Sequence, residues 1–397
     1  MEISNSLAKR VTHLKASAIR EIFKMVGKSD IISFAGGIPS PEVFPKEKFA
    51  DIAADILKNN GNAALVYGIT EGYAPLIETV KSLCKKINVG KDFDQTIITT
   101  GAQQAIDLTV RSMVNDGEGI IVEEPSFIGA LNSFRSFNAK LYGVDVLSDG
   151  IDTDAVENLL KTENIKLIYT IPTFQNPTGI TQSLEKRKKL LELAEKYDSY
   201  IIEDNPYGDL RFAGENVAAI KSFDTNGRVI YVGSFSKTLS PGIRVGYMVA
   251  HDKIVDRAVV AKQVNDVHTP LLNQMMVDEF IKNNDFDLQI KKGCDLYREK
   301  CALMLKTMDE CFPKCVSYTR PEGGIFLWCT LPENMDSAVL FQKALENKVA
   351  FVPGRTCNID IDAKSNCFRL NFSTMPNDKI VEGIKILGKL INDEINA

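Results

Sequence analysis

The chain runs to 397 residues, 44% hydrophobic and 25% charged, which suits two domains or one large α/β enzyme body and excludes a small module or a disordered segment. Lysine plus arginine number 47 against 52 for aspartate plus glutamate, a net charge of −5, which argues against non-specific nucleic-acid binding as the main task, because phosphate contact rewards basic surfaces. The opening Met1-Glu2-Ile3-Ser4-Asn5 lacks the apolar core of a signal peptide and no later window reads as a membrane span, so the expectation is a soluble, cytoplasmic protein.

In chain order, apolar spacing at the helical period predicts helices over 16–26, 46–58, 73–86, 103–113, 184–197 and 287–311. Ser183 with Glu185, and Thr153 with Glu157, read as helix-start signals. Between the helices lie short runs apolar on both faces: Thr96-Ile97-Ile98-Thr99, Gly119-Ile120-Ile121-Val122, Lys166-Leu167-Ile168-Tyr169, Tyr200-Ile201-Ile202 and Val229-Ile230-Tyr231-Val232. Such runs, alternating with helices, predict a doubly wound α/β domain on a mostly parallel sheet. After Phe280 the pattern changes to a long helix, strand-like runs over 315–319, 325–330, 350–352 and 368–372, and a closing helix over about 378–391. The expected division is an N-terminal arm and helix over 1–45 that joins the small domain, a large domain over 46–285, and a small α+β domain over 286–397.

The eight cysteines include no C-x-x-C pair. Cys311 and Cys315, the closest two, have no histidine near them, and the chain holds just His13, His251 and His268. Reduced core thiols are therefore expected rather than zinc, and no histidine-run chemistry.

The residues just beyond each predicted strand are the informative ones. The exits read Gly101-Ala102-Gln103-Gln104, then Glu123-Glu124-Pro125-Ser126-Phe127, then Pro172-Thr173-Phe174-Gln175-Asn176-Pro177-Thr178-Gly179, then Glu203-Asp204-Asn205-Pro206-Tyr207, and finally Gly233-Ser234-Phe235-Ser236-Lys237 with Arg244 beyond. Taken singly, each has a plain structural reading: a turn glycine, an N-cap carboxylate, a solvated lysine. In open α/β sheets, however, ligands bind beyond the carboxyl ends of the strands, and these exits would share that edge. The amides of Gly101, Ala102 and Gln103 at a helix N-terminus, with Ser234, Ser236 and Arg244, suit a phosphate. Lys237 suits a carbonyl that it would join as a Schiff base. Asp204 suits a protonated ring nitrogen, Phe127 a stacked ring, and Asn176 with Tyr207 a phenolic oxygen. Those are the groups of pyridoxal 5′-phosphate.

At these residues the chain resembles the fold-type I pyridoxal-phosphate-dependent aminotransferases. Further matches resemble the subgroup of 2-aminoadipate, kynurenine and related broad-specificity enzymes: Ile32-Ser33-Phe34-Ala35-Gly36-Gly37-Ile38-Pro39, Tyr67-Gly68 with Glu71-Gly72-Tyr73, Pro321-Glu322-Gly323-Gly324, and Phe368-Arg369-Leu370-Asn371-Phe372-Ser373. The resemblance covers nearly the whole chain. It implies that Lys237 is the aldimine lysine and the acid–base group of the proton shift, and that Asp204 partners the pyridine nitrogen. It implies also that Arg369 grips the substrate α-carboxylate, with Gly37 beside it where a side chain would crowd the substrate. By the same resemblance, Tyr67 reaches the cofactor phosphate of a neighbouring subunit, which implies a homodimer, and Arg20, in the N-terminal helix, meets a substrate's distal carboxylate. The implied reaction moves the amino group of a dicarboxylic, aromatic or large aliphatic L-amino acid to a 2-oxo acid such as 2-oxoglutarate.

Departures from the family pattern are few. Asn205 stands where a second aspartate is common, and Phe127 replaces a frequent tyrosine. Cys357, after Pro353-Gly354-Arg355-Thr356, takes the place of an aromatic near the substrate. The rival readings are a carbon–sulfur β-lyase on the same scaffold, a non-enzymatic aminotransferase-like regulator, and a dinucleotide-binding protein. The regulator would carry a winged-helix domain ahead of about Ser17, where the resemblance begins. Gly101-Ala102-Gln103-Gln104-Ala105-Ile106 fails the dinucleotide fingerprint.

Overall fold

The computed structural model describes residues 31–396. It opens with the short strand β1 (Ile32–Ser33), then helices α1 (Lys46–Leu65) and α2 (Ala74–Lys86). Next come β2 (Asp94–Thr99), α3 (Ala102–Met113), β3 (Gly119–Glu124), α4 (Ile128–Ser136), β4 (Lys140–Leu147), β5 (Gly150–Ile151), α5 (Thr153–Thr162), β6 (Ile165–Thr170), α6 (Leu184–Lys196), β7 (Tyr200–Asn205), β8 (Val229–Ser234) and β9 (Gly246–His251). Helices α7 (Asp252–Asn265), α8 (Leu271–Asn283) and α9 (Phe286–Cys311) lead into β10 (Ser317–Tyr318), β11 (Phe326–Thr330), α10 (Ser337–Glu346), β12 (Val349–Ala350), β13 (Val352–Pro353), β14 (Cys367–Asn371) and α11 (Asn377–Ile395).

Eight strands make one sheet in the order β2-β9-β8-β7-β6-β3-β4-β5. The run from β8 through β7, β6 and β3 to β4 is parallel. Side chains of a strand alternate between faces, and here each face has its own core. Ile120, Val122, Leu167, Ile202, Ile230 and Val232 pack on one side, and Ile121, Ile168, Ile201 and Val229 on the other with Leu190 and Leu193 of α6. That double burial is why these strands read as unbroken apolar runs rather than as alternation.

β9 went unpredicted. It pairs antiparallel with both β2 and β8, so β2 runs in the direction of β8, and the five strands predicted before Phe280 all send their carboxyl ends to one edge. The start of α5 is corrected by one residue: Asp152, not Thr153, is the N-cap, its carboxylate accepting from the amides of Asp154 and Ala155. Ser183 does cap α6, its hydroxyl accepting from the Lys186 amide.

The last third forms a four-stranded antiparallel sheet, β10-β11-β14-β13, with α9 and α11 packed together. β1 pairs in parallel with β12, and the Asn371 amide donates to the Phe34 carbonyl. The segment around Gly37 is thereby carried to the strand that bears Arg369. Among the described residues, no helix is long and apolar enough to cross a membrane.

Candidate active site

At the carboxyl end of β2 the chain turns through Gly101 (φ 77°), which caps α3. The amides of Ala102 and Gln103 stand in the first turn, where no preceding carbonyl of the helix reaches them, and the helix dipole favours an anion there. Arg244, itself left-handed (φ 55°), donates from Nη2 to the Thr100 carbonyl at 2.8 Å and lies 3.4 Å from the Ser236 hydroxyl. A Cβ at Gly101 would fall 2.4 Å from Arg244 Nη2, and one at Gly246 would fall 2.9 Å from the Ala102 amide. The backbones therefore approach as closely as glycine permits. Behind this cradle, Lys262 donates to Gln104 and Asp266, and Asp266 also accepts from Thr100 and Gln104.

Beside the cradle, the exits of β6, β7 and β8 converge. Asp204 is buried, with Oδ2 accepting from the Tyr169 hydroxyl at 2.8 Å and Oδ1 without a partner. Burial pushes its carboxyl up to about 7; the Tyr169 hydrogen bond opposes that, the charge of Glu123 adds to it and that of Lys237 opposes it. Lys237 donates to the Gly37 carbonyl at 2.6 Å, and its ammonium lies 5.8 Å from the centre of the Tyr207 ring. Enclosure, then the charges of Arg369 and Arg244, bring the Lys237 amine down to about 8, with Asp204 opposing. The buried Tyr207 hydroxyl lies 3.5 Å from Asn176 Nδ2.

Arg369 completes the group from β14. It donates from Nη1 to Asn176 Oδ1 and from Nη2 to the Ala35 carbonyl, each at 2.8 Å, while Nε is buried without a partner. Its guanidinium stacks 4.1 Å from the centre of the Phe326 ring. Ser234 accepts from the Ser236 amide, and Phe127 caps α4 beside Gln103 and Gly129.

The structure thus gathers Gly101, Ala102, Gln103, Phe127, Asn176, Asp204, Tyr207, Ser234, Ser236, Lys237, Arg244, Arg369 and Gly37 at one sheet edge. Tyr67 stands apart within this chain, 86% exposed with its ring edge against His268. Arg20 lies outside the described residues. A Cβ on Gly37 would meet Phe326 at an ordinary 3.8 Å, so nothing among the described residues requires glycine there. Cys357 is buried within electrostatic reach of Arg369, and Arg355 pairs with Asp336 at 2.6 Å. Asn205 donates to the Tyr231 hydroxyl.

Residue-by-residue reading of the strand exits missed the supports. Glu123 accepts from Thr170, the Ile171 amide and Gln175, and Gln175 in turn holds Thr178, so the loop carrying Asn176 is braced from β3. Arg187, 1% exposed, donates to the carbonyls of Pro172, Gln182, Val217 and Ala218 and to the Thr173 hydroxyl. Tyr169 was found through strand register: it pairs with Ile202, which sets it on the face of Asp204, two residues on.

These residues fit pyridoxal phosphate. The glycine-lined helix start with Arg244 suits the phosphate, the partnerless Asp204 Oδ1 suits a ring N–H, and Lys237 is a nearby amine with a lowered pKa. The family model for aminotransferases of class I and II matches residues 30–387. An aromatic-amino-acid aminotransferase of Thermococcus litoralis is 39% identical over 401 residues, covering 100% of this chain and 96% of the relative. The crystal structure of Pyrococcus horikoshii kynurenine aminotransferase superposes with a TM-score of 0.96 at 38% identity, over 100% and 99% of the two chains. That of the alpha-aminoadipate aminotransferase of Thermus thermophilus, complexed with N-(5'-phosphopyridoxyl)-L-leucine, gives a TM-score of 0.93 at 40% identity, over 100% of both chains. The chain belongs to the class I and II aminotransferases, pyridoxal-phosphate-dependent enzymes that carry an amino group to a 2-oxo acid.

Proposed function

We propose that this aminotransferase takes dicarboxylic, aromatic and large aliphatic L-amino acids as donors and a 2-oxo acid such as 2-oxoglutarate as acceptor. The range follows the relatives, which are named for aromatic amino acids, kynurenine and aminoadipate. The observation that carries the assignment of residues is the pairing in one cleft of the partnerless, buried Asp204 Oδ1 with the enclosed amine of Lys237.

When bound, pyridoxal phosphate supplies an aldehyde carbon for the amine and a ring that draws off electron density from the substrate Cα. Gly101, Ala102, Gln103, Ser234, Ser236 and Arg244 hold the phosphate. Phe127 covers the ring face, and Asn176 and Tyr207 hold the phenolic oxygen. Asp204 keeps the ring nitrogen protonated. Arg369 orients the substrate by its α-carboxylate, using the free Nε with donors now spent on Asn176 and Ala35. Lys237 Nζ would take the proton from the substrate Cα and deliver it across the intervening nitrogen, to the carbon that was the cofactor's aldehyde, an exchange eased by a pKa near working pH.

The proposal extends to a cytoplasmic homodimer in which Tyr67 serves the partner's site, and to the three-part division at 1–45, 46–285 and 286–397. Arg20 is assigned the distal carboxylate of dicarboxylic donors. Borohydride reduction of the holoenzyme followed by peptide mapping tests the central assignment: the cofactor label is expected on Lys237, and a label on another lysine overturns it. A half-reaction screen of amino acids tests the donor range, and Arg20→Ala should weaken kcat/KM for glutamate and 2-aminoadipate while sparing leucine and phenylalanine.

A further inference from the structure

A carboxylate beneath a protonated ring nitrogen can hold the ring's proton in place or take it. The outcome depends on how basic the carboxylate is, and therefore on what else touches it. The groups that face Asp204 are Tyr169 from β6, Glu123 from β3, Tyr207 beyond β7 and Lys237 beyond β8. Burial and Glu123 make the carboxylate more basic. Among the described residues, the Tyr169 hydroxyl is the one hydrogen-bond donor that opposes them.

Tyr169 is built for a fixed donation. It is fully buried, its ring stands edge-on to Phe134 with centroids 5.3 Å apart, and the β6–β7 register aligns it with Ile202 on the face that Asp204 shares. Burial and the neighbouring carboxylate hold the phenol far above its ordinary range, so it remains a donor throughout the working pH. Since Oδ2 is taken, Oδ1 is the free acceptor on Asp204.

We propose that Tyr169 is a positioning residue for amino transfer, holding Asp204 ionised and turned so that Oδ1 alone remains for the cofactor's ring N–H. This rests on the assignment of Asp204 to the ring nitrogen. Without the hydroxyl, the carboxylate gains basicity and the shared proton moves from the ring toward Asp204. The electron sink weakens, while the grip of Arg369 on substrate is untouched.

The test uses holoenzyme loaded with cofactor labelled with ¹⁵N at the ring. In Tyr169→Phe the ring resonance should move toward the unprotonated position, and kcat should fall about tenfold or more, the scale of one hydrogen bond to a charged group, with KM nearly unchanged. Placing 3-fluorotyrosine, a more acidic donor, at position 169 should make Asp204 less basic and, at the same neutral pH, move the ring resonance further toward the protonated position than in the wild type. An unmoved resonance in Tyr169→Phe overturns the proposal. Should that variant fail to fold, an unmoved resonance with fluorotyrosine at neutral pH overturns it instead. Asp204→Asn separates the two layers: if it moves the resonance and Tyr169→Phe does not, the role of Tyr169 falls and that of Asp204 stands, whereas if neither moves it, the ring nitrogen has a different partner.

Discussion

Asp204 and Lys237 have been drawn toward each other in acidity, one pushed up to about 7 and the other down to about 8. For the lysine, the sign is plain: below about pH 8 the ammonium dominates, and above it the neutral amine that attacks a carbonyl. Incorporation of cofactor into the apoenzyme should therefore accelerate as pH rises through about 8 and level off beyond it. A rise centred instead near the ordinary lysine value of about 10.4 would show that the enclosure does not act on Lys237. For the aspartate, a neutral amide of the same shape cannot stabilise a protonated ring. Asp204→Asn should bind cofactor yet lose on the order of a hundredfold or more in kcat, the scale of removing one preorganised electrostatic contact; near-normal turnover in single-turnover kinetics would refute this.

The proposed phosphate cradle depends on an element boundary rather than on any one side chain. Gly101 is left-handed, and its missing Cβ is the space that Arg244 fills. Gly101 has φ 77° and ψ 169°, a conformation essentially confined to glycine, so Gly101→Ala should cost about 1–3 kcal/mol in backbone strain alone and push the guanidinium off the Thr100 carbonyl. Fluorescence titration is expected to show cofactor affinity at least about tenfold weaker, with a modest drop in Tm. This boundary was legible in the sequence because Gly101 opens a helix after an apolar run at the same edge as the other strand exits, a joint placement that a lone turn glycine would not show. β9 and β4 were not. β9 has an apolar run, Gly246-Tyr247-Met248-Val249-Ala250, but it follows a single 3-10 turn and the left-handed Arg244 rather than an α-helix, so the strand–helix alternation did not set it apart; β4 is half-exposed along its length and lacked the apolar run of the central strands. The braces went unseen for a different reason. Glu123 and Arg187 act through partners far away in sequence, a relation that no local pattern encodes.

For the whole molecule, the exposed residues Leu65, Val66, Tyr67 and Ile69, at 73, 60, 86 and 61%, form an apolar stretch of the kind that marks an interface. Sedimentation should find the holoenzyme at twice the chain mass. Leu65→Glu should shift it toward monomer and weaken cofactor retention together, because Tyr67 would then lose the neighbour it serves. A monomeric wild type would remove the role given to Tyr67. The doubly wound α/β body and the convergence of strand exits were readable beforehand, since each rests on residue types at recognisable positions; the carboxylate role proposed for Arg369 came from the family resemblance. The partner of Asp204 became visible once strand register was known.

Arg369 bonds Asn176 and Ala35 across 193 and 334 residues of chain, and closing such long loops is slow. During synthesis, residues 94–251, which carry the eight-stranded sheet and the proposed phosphate cradle, emerge well before the strand that holds Arg369, the proposed substrate clamp. A growing chain should therefore be able to retain the cofactor before it can orient a substrate, so that affinity for the phosphate matures ahead of turnover. The chain's single tryptophan, Trp328, is the register partner of Arg369 between β11 and β14. Its fluorescence during refolding would time the later of the two events.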